Sequence, residues 1–362
     1  MSNLDERPRR IRPIASAAAA LVTLVALAPA VAAGNPITFV ATIGSSCVSG
    51  KATPSAPIVA TLRSSVGDVM ASASAVATSS GAWSLCFSEP VEVGDTITAD
   101  DGPNERTLAI PRITGTIDRV TDVFSGKGPA TTTFVARLYD CALMSSCIES
   151  DERMLSTDAT GAVSFDYTAI SNVRGQDQVQ LRFPTAEGDY IFKDVYAPMT
   201  RVVIGLATIS GFARPGTLVT TTLKTSADVV KGTAQVVAQH PVGNFYGIAF
   251  RKPNGTKVYV AATDKVSSDS ATDAGFTVPG VTLSATISTD VISGKCRPNG
   301  PYSLVARRPN FSDSVTRSGM SDVAGNLTQD VTADLDLVAG DLVFLSCRMA
   351  TGDIVERRLV VA

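Results

Sequence analysis

The chain has 362 residues, of which 18% are charged, 44% hydrophobic and 6% aromatic, with a formal net charge of −3. An acidic balance argues against nucleic acid or an anionic membrane surface as the main partner, because both select basic chains. Thr, Ser, Val, Ala and Gly dominate, a composition that suits short strands and tight turns.

The first 33 residues stand apart. Arg7, Arg9, Arg10 and Arg12 form a basic segment, Ile14 to Leu27 is apolar and alanine-rich, and Ala30 to Ala33 offers small residues for cleavage. This order reads as a secretory signal peptide, and the apolar run falls short of the ~20 residues a membrane span needs. Its removal takes away four arginines and two acids (Asp5 and Glu6), so the net charge moves from −3 to −5. The mature chain is expected to be secreted, extracellular or at the cell surface, with no membrane span. Beyond this leader, length gives a soft expectation of about two to four domains.

From Gly34 onward short alternating runs follow one another. Ile37 to Ile43 opens, and Ile58 to Arg63, Val69 to Ala77, Trp83 to Phe87, Thr96 to Ala99 and Thr107 to Ile110 follow, each bounded by a Gly, Asp, Ser or Pro turn. Alternation with turn signals every ~8–12 residues predicts a β-sandwich. No run of 12 or more residues carries a convincing 3.6-residue period, so little helix is expected.

The same order recurs. An apolar-Ser-Gly step appears at Val48-Ser49-Gly50, Phe124-Ser125-Gly126, Ile209-Ser210-Gly211 and Ile292-Ser293-Gly294, with glycines 76, 85 and 83 residues apart. A proline follows each step: Pro54, Pro129, Pro215 and Pro298. A second glycine opens a strand at Gly81, Gly161, Gly243 and Gly325, and a third landmark is expected at Gly94, Gly175, Gly255 and Gly340. Three landmarks in four copies signal an internal repeat, with glycine supplying the positive φ of tight turns. The units so defined are 34–111, 112–198, 199–279 and 280–362. Ile110-Pro111, Ala197-Pro198 and Val278-Pro279 close the first three with no flexible linker, which favours an extended, semi-rigid array.

The segments Val48 to Pro54, Gly81-Ala82-Trp83-Ser84 and Val93-Gly94-Asp95-Thr96 together resemble the bacterial Ig-like repeats of secreted and surface proteins. The resemblance spans the mature chain and is most specific in the first unit. It implies an all-β fold of four tandem Ig-like β-sandwich domains after the signal peptide. It also implies a role as spacer, stalk or adhesive module.

Six cysteines in an exported chain argue for disulfides. Domains that fold independently pair internally, which selects Cys47–Cys86, Cys141–Cys147 and Cys296–Cys347 from 15 pairings. The short Cys141–Cys147 loop pins a hairpin tip in the second unit, and Tyr139, Leu143 and Met144 make that tip the candidate binding surface. No Cys-x-x-Cys is present, so metal binding by these cysteines is not expected.

Catalytic signals are sparse. The lone histidine, His240, precedes Pro241 in a predicted turn, and no Gly-x-Ser-x-Gly elbow or phosphate loop occurs. A glycosidase needs only two carboxylates, but Glu89, Glu92, Glu149 and Glu356 fall in different strands and turns. Asp100, Asp101 and Asn104 in one turn, with Asp118 and Asp122 near the first junction, are candidate calcium ligands, although such residues commonly bond their own backbone. Trp83 alternates into the predicted core. The expectation is a non-enzymatic structural or adhesive protein without cofactor, whose partners are surface or matrix proteins, glycans or further copies of itself. The alternative is a secreted carbohydrate-binding protein with its site in the second unit.

Overall fold

The computed structural model describes residues 36–141, 147–240, 242–271 and 275–362. The expected signal peptide and the tip residues Leu143 and Met144 lie outside them. Within the first unit the alternating runs form β1 (Thr38–Ile43), β2 (Cys47–Lys51), β3 (Pro57–Arg63), β4 (Val69–Val76), β5 (Ala82–Cys86), β6 (Thr96–Asp100) and β7 (Glu105–Ala109). The second unit supplies β8 (Thr114–Asp118), β9 (Val123–Lys127), β10 (Thr133–Asp140), β11 (Ile148–Ser156), β12 (Ala162–Asp166), β13 (Gln178–Pro184) and β14 (Tyr190–Tyr196). In the third are β15 (Met199–Val203), β16 (Thr208–Phe212), β17 (Leu218–Lys224), β18 (Val230–Val237), β19 (Asn244–Ala249), β20 (Lys265–Ser268) and β21 (Phe276–Thr277). The fourth has β22 (Thr282–Thr286), β23 (Val291–Lys295), β24 (Pro301–Arg307), β25 (Ser314–Met320), β26 (Asn326–Asp330), β27 (Leu342–Arg348) and β28 (Ile354–Val360). One short 3₁₀ turn, Ile287–Thr289, is the only helical element among the described residues.

Each unit divides its strands alike. The first, second and fifth form one sheet segment, and the fourth, third, sixth and seventh, in that order, form the other. The Ser-Gly step always lies in the middle strand of the three-stranded segment. Its glycine does not adopt a positive φ. A Cβ there would instead run into the carbonyl oxygen of the residue twelve positions earlier, namely Thr38, Thr114, Met199 or Thr282. Glycine is therefore demanded by close backbone approach, the second reason for glycine inside a strand.

The second landmark behaves as expected. Gly81, Gly161, Gly243 and Gly325 all take positive φ, and each carbonyl accepts from the N–H two residues after the Ser-Gly glycine (Ala52, Gly128, Ala213 and Cys296). The third landmark needs correction. The equivalent turn is built around a buried aspartate, Asp95, Asp177, Asp264 or Asp341, preceded by Gly94, Gln176, Thr263 or Gly340 at positive φ. Gly175 is thus one residue out of place, and Gly255 belongs to a separate turn closed by its N–H on Lys252. Each aspartate accepts through Oδ2 from the N–H three residues before it. Its backbone carbonyl accepts from the last strand's exit at Ile110, Ala197, Val278 or Val361. A carboxylate that satisfies turn N–H groups fixes the turn whichever residue precedes it.

The units are not strung end to end within a pair. β1 runs parallel to β14, with Val40 opposite Tyr190, and joins the two segments into one seven-stranded sheet, β11-β10-β13-β14-β1-β2-β5. β15 and β28 repeat this, with Arg201 opposite Ile354, in the sheet β19-β16-β15-β28-β27-β24-β25. The first strand of an odd unit and the last strand of the next unit each leave an edge open, and pairing removes both. The proline junctions allow this side-by-side placement where an end-to-end array was expected.

One core cluster runs from Ile37 to Ala197 and a second from Val202 to Val361. Trp83 is 3% exposed and meets Phe39 edge-on at 5.8 Å, which is the expected core role. Burying such a ring contributes on the order of 3 kcal/mol.

Candidate functional site: clamps and cleft at the unit junctions

Each parallel joint is closed by an aspartate at the head of the last strand. Gly188, at φ 85°, turns the β13–β14 hairpin so that Asp189 immediately precedes β14. Its Oδ1 accepts from the N–H of Phe39 at 2.8 Å and from Arg106 Nη1 at 3.0 Å, while Oδ2 accepts from Arg106 Nη2 at 2.6 Å. Arg106 Nη1 also donates to the Ile37 carbonyl at 2.5 Å. One buried carboxylate thus ties β14, β1 and β7 together. Gly352 and Asp353 repeat the device at the second joint. There Oδ1 accepts from Thr200 N–H at 2.7 Å, and the Nη atoms of Arg119 reach the carboxylate at 3.1 and 2.9 Å. Arg119 Nη1 also donates to the Pro198 carbonyl at 2.9 Å. The geometry is the same but the arginine differs in origin. Arg106 belongs to the pair it closes, whereas Arg119 reaches from the second unit into the joint of the following pair.

A second contact reinforces that link. Arg348 is completely buried and donates through Nη2 to the Gly175 carbonyl at 2.5 Å and to Asp177 Oδ1 at 2.7 Å. Asp177 also accepts from the backbone N–H of Cys141 and Arg174. Burial pushes the Asp177 carboxyl up, and the Arg348 charge pulls it back. Gly175 N–H donates to the Thr351 carbonyl at 2.9 Å, and a Cβ on Gly352 would overlap the backbone of Gly175. Gly352 is therefore glycine because its φ is positive and the Gly175 backbone fills the Cβ position, and Gly175 because a Cβ there would meet Arg119 Nη1 at 2.7 Å and the Pro198 carbonyl oxygen at 2.9 Å. Across the same junction Tyr196 stacks on Phe212 with centroids 5.0 Å apart.

The expected disulfides form as the three within-unit pairs. Cys47–Cys86 joins directly opposed residues of β2 and β5, Cys141–Cys147 closes the β10–β11 hairpin, and Cys296–Cys347 crosses between the two sheets of the fourth unit. Of the candidate tip, Tyr139 is described, half-buried at the end of β10. The hairpin base packs on the junction, with Asp140 3.7 Å from Arg348. Of the other unit-two aromatics, Tyr167 and Phe183 are in the core with Phe124 and Phe134, and Tyr190 lies under the Arg182 guanidinium at 3.8 Å. His240 is exposed. Glu89 and Glu92 follow β5, Glu149 lies in β11 and Glu356 is buried in β28 against Arg358.

In the acidic turn, Asp101 accepts from Thr53 and Asn104 N–H and Asp100 from Gly102 N–H. Asp118 accepts from Val120 and Asp122 from Val173. These carboxylates serve backbone donors, as turn residues do. Among the described residues no group of three or more His, Cys, Asp or Glu is placed to hold a metal. The junction residues were legible only in part. The matching Gly188-Asp189 and Gly352-Asp353 hairpins are visible in the sequence, but nothing local marks Arg106, Arg119 or Arg348 as their partners.

A cleft of about 370 Å³ opens where the first three units meet, lined by Glu92, Arg112, Lys193, Arg214 and His240 among others. A second hollow of about 220 Å³ shares Lys193 and Arg214 with it. Lys193 is buried, which pushes its amine down, and Asp194 and Glu92 oppose that shift.

No family model and no curated protein matches the chain. Among solved structures it is similar to a tetra-tandem repeat from the extending region of a large adhesion protein. That match has 17% identity, 90% of this chain and 99% of the other, and a TM-score of 0.18. It is also similar to native Escherichia coli alpha-2-macroglobulin, with 11% identity, 90% of this chain, 29% of the other and a TM-score of 0.19. Chicken CNTN1 FN1-FN3 domains match at 7% identity over 91% and 98%, with a TM-score of 0.20.

Proposed function

We propose that the chain is a non-enzymatic, exported structural or adhesive protein, acting as a rigid interaction module at the cell surface or in the matrix. One observation carries this reading. The junctions, which in a string of independent domains would be solvent-filled hinges, are here closed by continuous sheets and buried arginine–aspartate clamps. Three disulfides add covalent closure, which suits an oxidising compartment. The partners in this reading are surface or matrix proteins or glycans. The test is chemical cross-linking on intact cells expressing the full chain, followed by identification of what is joined to it. Recovery with envelope or matrix components supports the reading, and recovery solely inside the cell overturns it.

A second reading, a secreted carbohydrate-binding protein, is favoured by the cleft. Its Lys193 belongs to the second unit, and with Arg112 and Arg214 it gives a cationic lining that suits an acidic sugar. Binding of uronate-containing glycans on an array, lost in Lys193→Met, supports it. An array with no binding removes it.

A further inference from the structure

The four units contain one experiment in edge protection. β4, β11, β18 and β25 are equivalent, each the outer strand of its four-stranded segment. Exposed edges invite pairing with another chain unless charge, proline, a bulge or a covering segment blocks them. β11 carries Glu149, Asp151, Glu152 and Arg153, and β25 carries Arg317. β18 carries Lys231 and is covered, since Thr233 and Arg251 exchange backbone hydrogen bonds. β4 shares with β11 and β18 a bulge near one end, at Met70, between the pairs Leu62–Ala71 and Arg63–Val69, but from Ala71 to Val76 it is regular and has neither charge nor cover. Its eight residues, Val-Met-Ala-Ser-Ala-Ser-Ala-Val, include no charge and no proline. Among the described residues its backbone makes no hydrogen bond beyond the pairing with β3.

The side chains of β4 also favour one particular occupant. Met70, Ser72, Ser74 and Val76 are on the exposed face, and Ala71, Ala73, Ala75 and Ala77 on the core side. Antiparallel pairing of the regular stretch of β4 with its own copy about Ala73 sets Ser72 opposite Ser74 and Ala71 opposite Ala75. Every like-faced pair is then small or apolar, and no charge is buried. Val59, 53% exposed and paired with Ser74, continues the apolar surface beside the joint. An isologous two-fold contact of this kind closes on itself and does not propagate.

We propose that β4 is a self-association edge, through which two copies of this chain pair antiparallel about Ala73 and merge their β4-β3-β6-β7 sheets into one of eight strands. A single strand on each side buries less than the roughly 1,200–2,000 Å² of a stable interface, so the dimer is a weak one that forms at high local concentration. It rests on the fold and not on the surface role proposed above, so either reading survives failure of the other.

Sedimentation equilibrium of the full mature chain over a wide concentration range tests it, with thermal melting as the folding control. The wild type is expected to show a reversible monomer–dimer equilibrium. Ser72→Lys with Ser74→Lys places lysine opposite lysine in this register and is expected to weaken dimerisation at least tenfold with melting unchanged. Ser72→Lys with Ser74→Glu places lysine opposite glutamate and is expected to restore it in a salt-sensitive form. A wild type that stays monomeric, or lysine pairs that dimerise like the wild type, overturns the proposal. So does a double-charge variant that is not restored. Pairing of β4 with a different protein, seen with the wild type monomeric, overturns it as well.

Discussion

Asp189 and Arg106 form a two-pronged ion pair, 3.0 and 2.6 Å, across the joint between the first two units, and the same carboxylate holds the Phe39 N–H. The pair bridges strands 83 residues apart in sequence. Removing one partner of such a pair leaves a buried charge uncompensated, at a cost of about 3–5 kcal/mol. Arg106 is partly exposed, so the lower end is expected for Arg106→Ala. Trp83, the chain's single tryptophan, sits in the adjoining core and reports this loss in a fluorescence-monitored urea titration.

Arg119→Ala acts elsewhere. It strands Asp353 at the second joint and loosens the link between the pairs. Calorimetry is expected to show a lowered or split transition for the second pair, while the midpoint read from Trp83 stays where it was. A lowered Trp83 midpoint would show that the clamp stabilises both pairs together.

The Ser-Gly glycines predict a graded series. A Cβ at Gly126 would lie 2.6 Å from the Thr114 oxygen, and at Gly294 it would lie 2.9 Å from the Thr282 oxygen. At Gly50 and Gly211 the overlap is more severe. Alanine substitutions are expected to cost about 1–3 kcal/mol, as overpacking does, with Gly50→Ala and Gly211→Ala the worst. Denaturation midpoints of the four variants check the order.

The disulfides rank by loop length. Separations of 51, 39 and 6 residues for Cys296–Cys347, Cys47–Cys86 and Cys141–Cys147 give chain-entropy contributions of roughly 4, 4 and 2 kcal/mol. Paired Cys→Ala variants, melted individually, are expected to show the second-unit pair as the least costly.

Two groups contribute to the pH dependence of stability at its acid and alkaline ends. Burial raises the Asp101 carboxyl, but hydrogen bonds from Thr53 and Asn104 outweigh it and hold it below the usual carboxylate value. A lowered folded value contributes stability above the unfolded pKa near 3.9, which is lost as pH falls below it. Asp101→Asn is expected to flatten that acid limb of the melting curve. Burial pushes the Tyr167 phenol up to about 12. A raised folded value contributes stability that is full below pH ~10 and lost as pH rises towards 12. Among the described residues its hydroxyl has no hydrogen-bond partner. Tyr167→Phe is therefore expected to remove the latest step of an ultraviolet phenol titration without loss of stability at neutral pH.

Much of the fold was written locally. Alternation of period two placed the strands, the four Ser-Gly steps marked the middle strand of each three-stranded segment, and unit-wise pairing identified the disulfides. Turns and strand faces depend on neighbours a few residues away, so sequence alone carries them. The third landmark misled because the turn is fixed by the aspartate, and Gln176 or Thr263 can take the positive φ that glycine was expected to supply.

Tertiary structure decided the rest. Pairing of β1 with β14, and of β15 with β28, uses backbone groups that every strand possesses, so no residue identity announces it. The clamp arginines come from different elements, Arg106 from β7 and Arg119 from the β8–β9 turn, yet meet equivalent aspartates because folding brings both guanidinium groups to the same geometry. The sequence determined what each unit is. Only the meeting of strands about 150 residues apart, as in the bond from Phe39 to Asp189, decided how the units are joined.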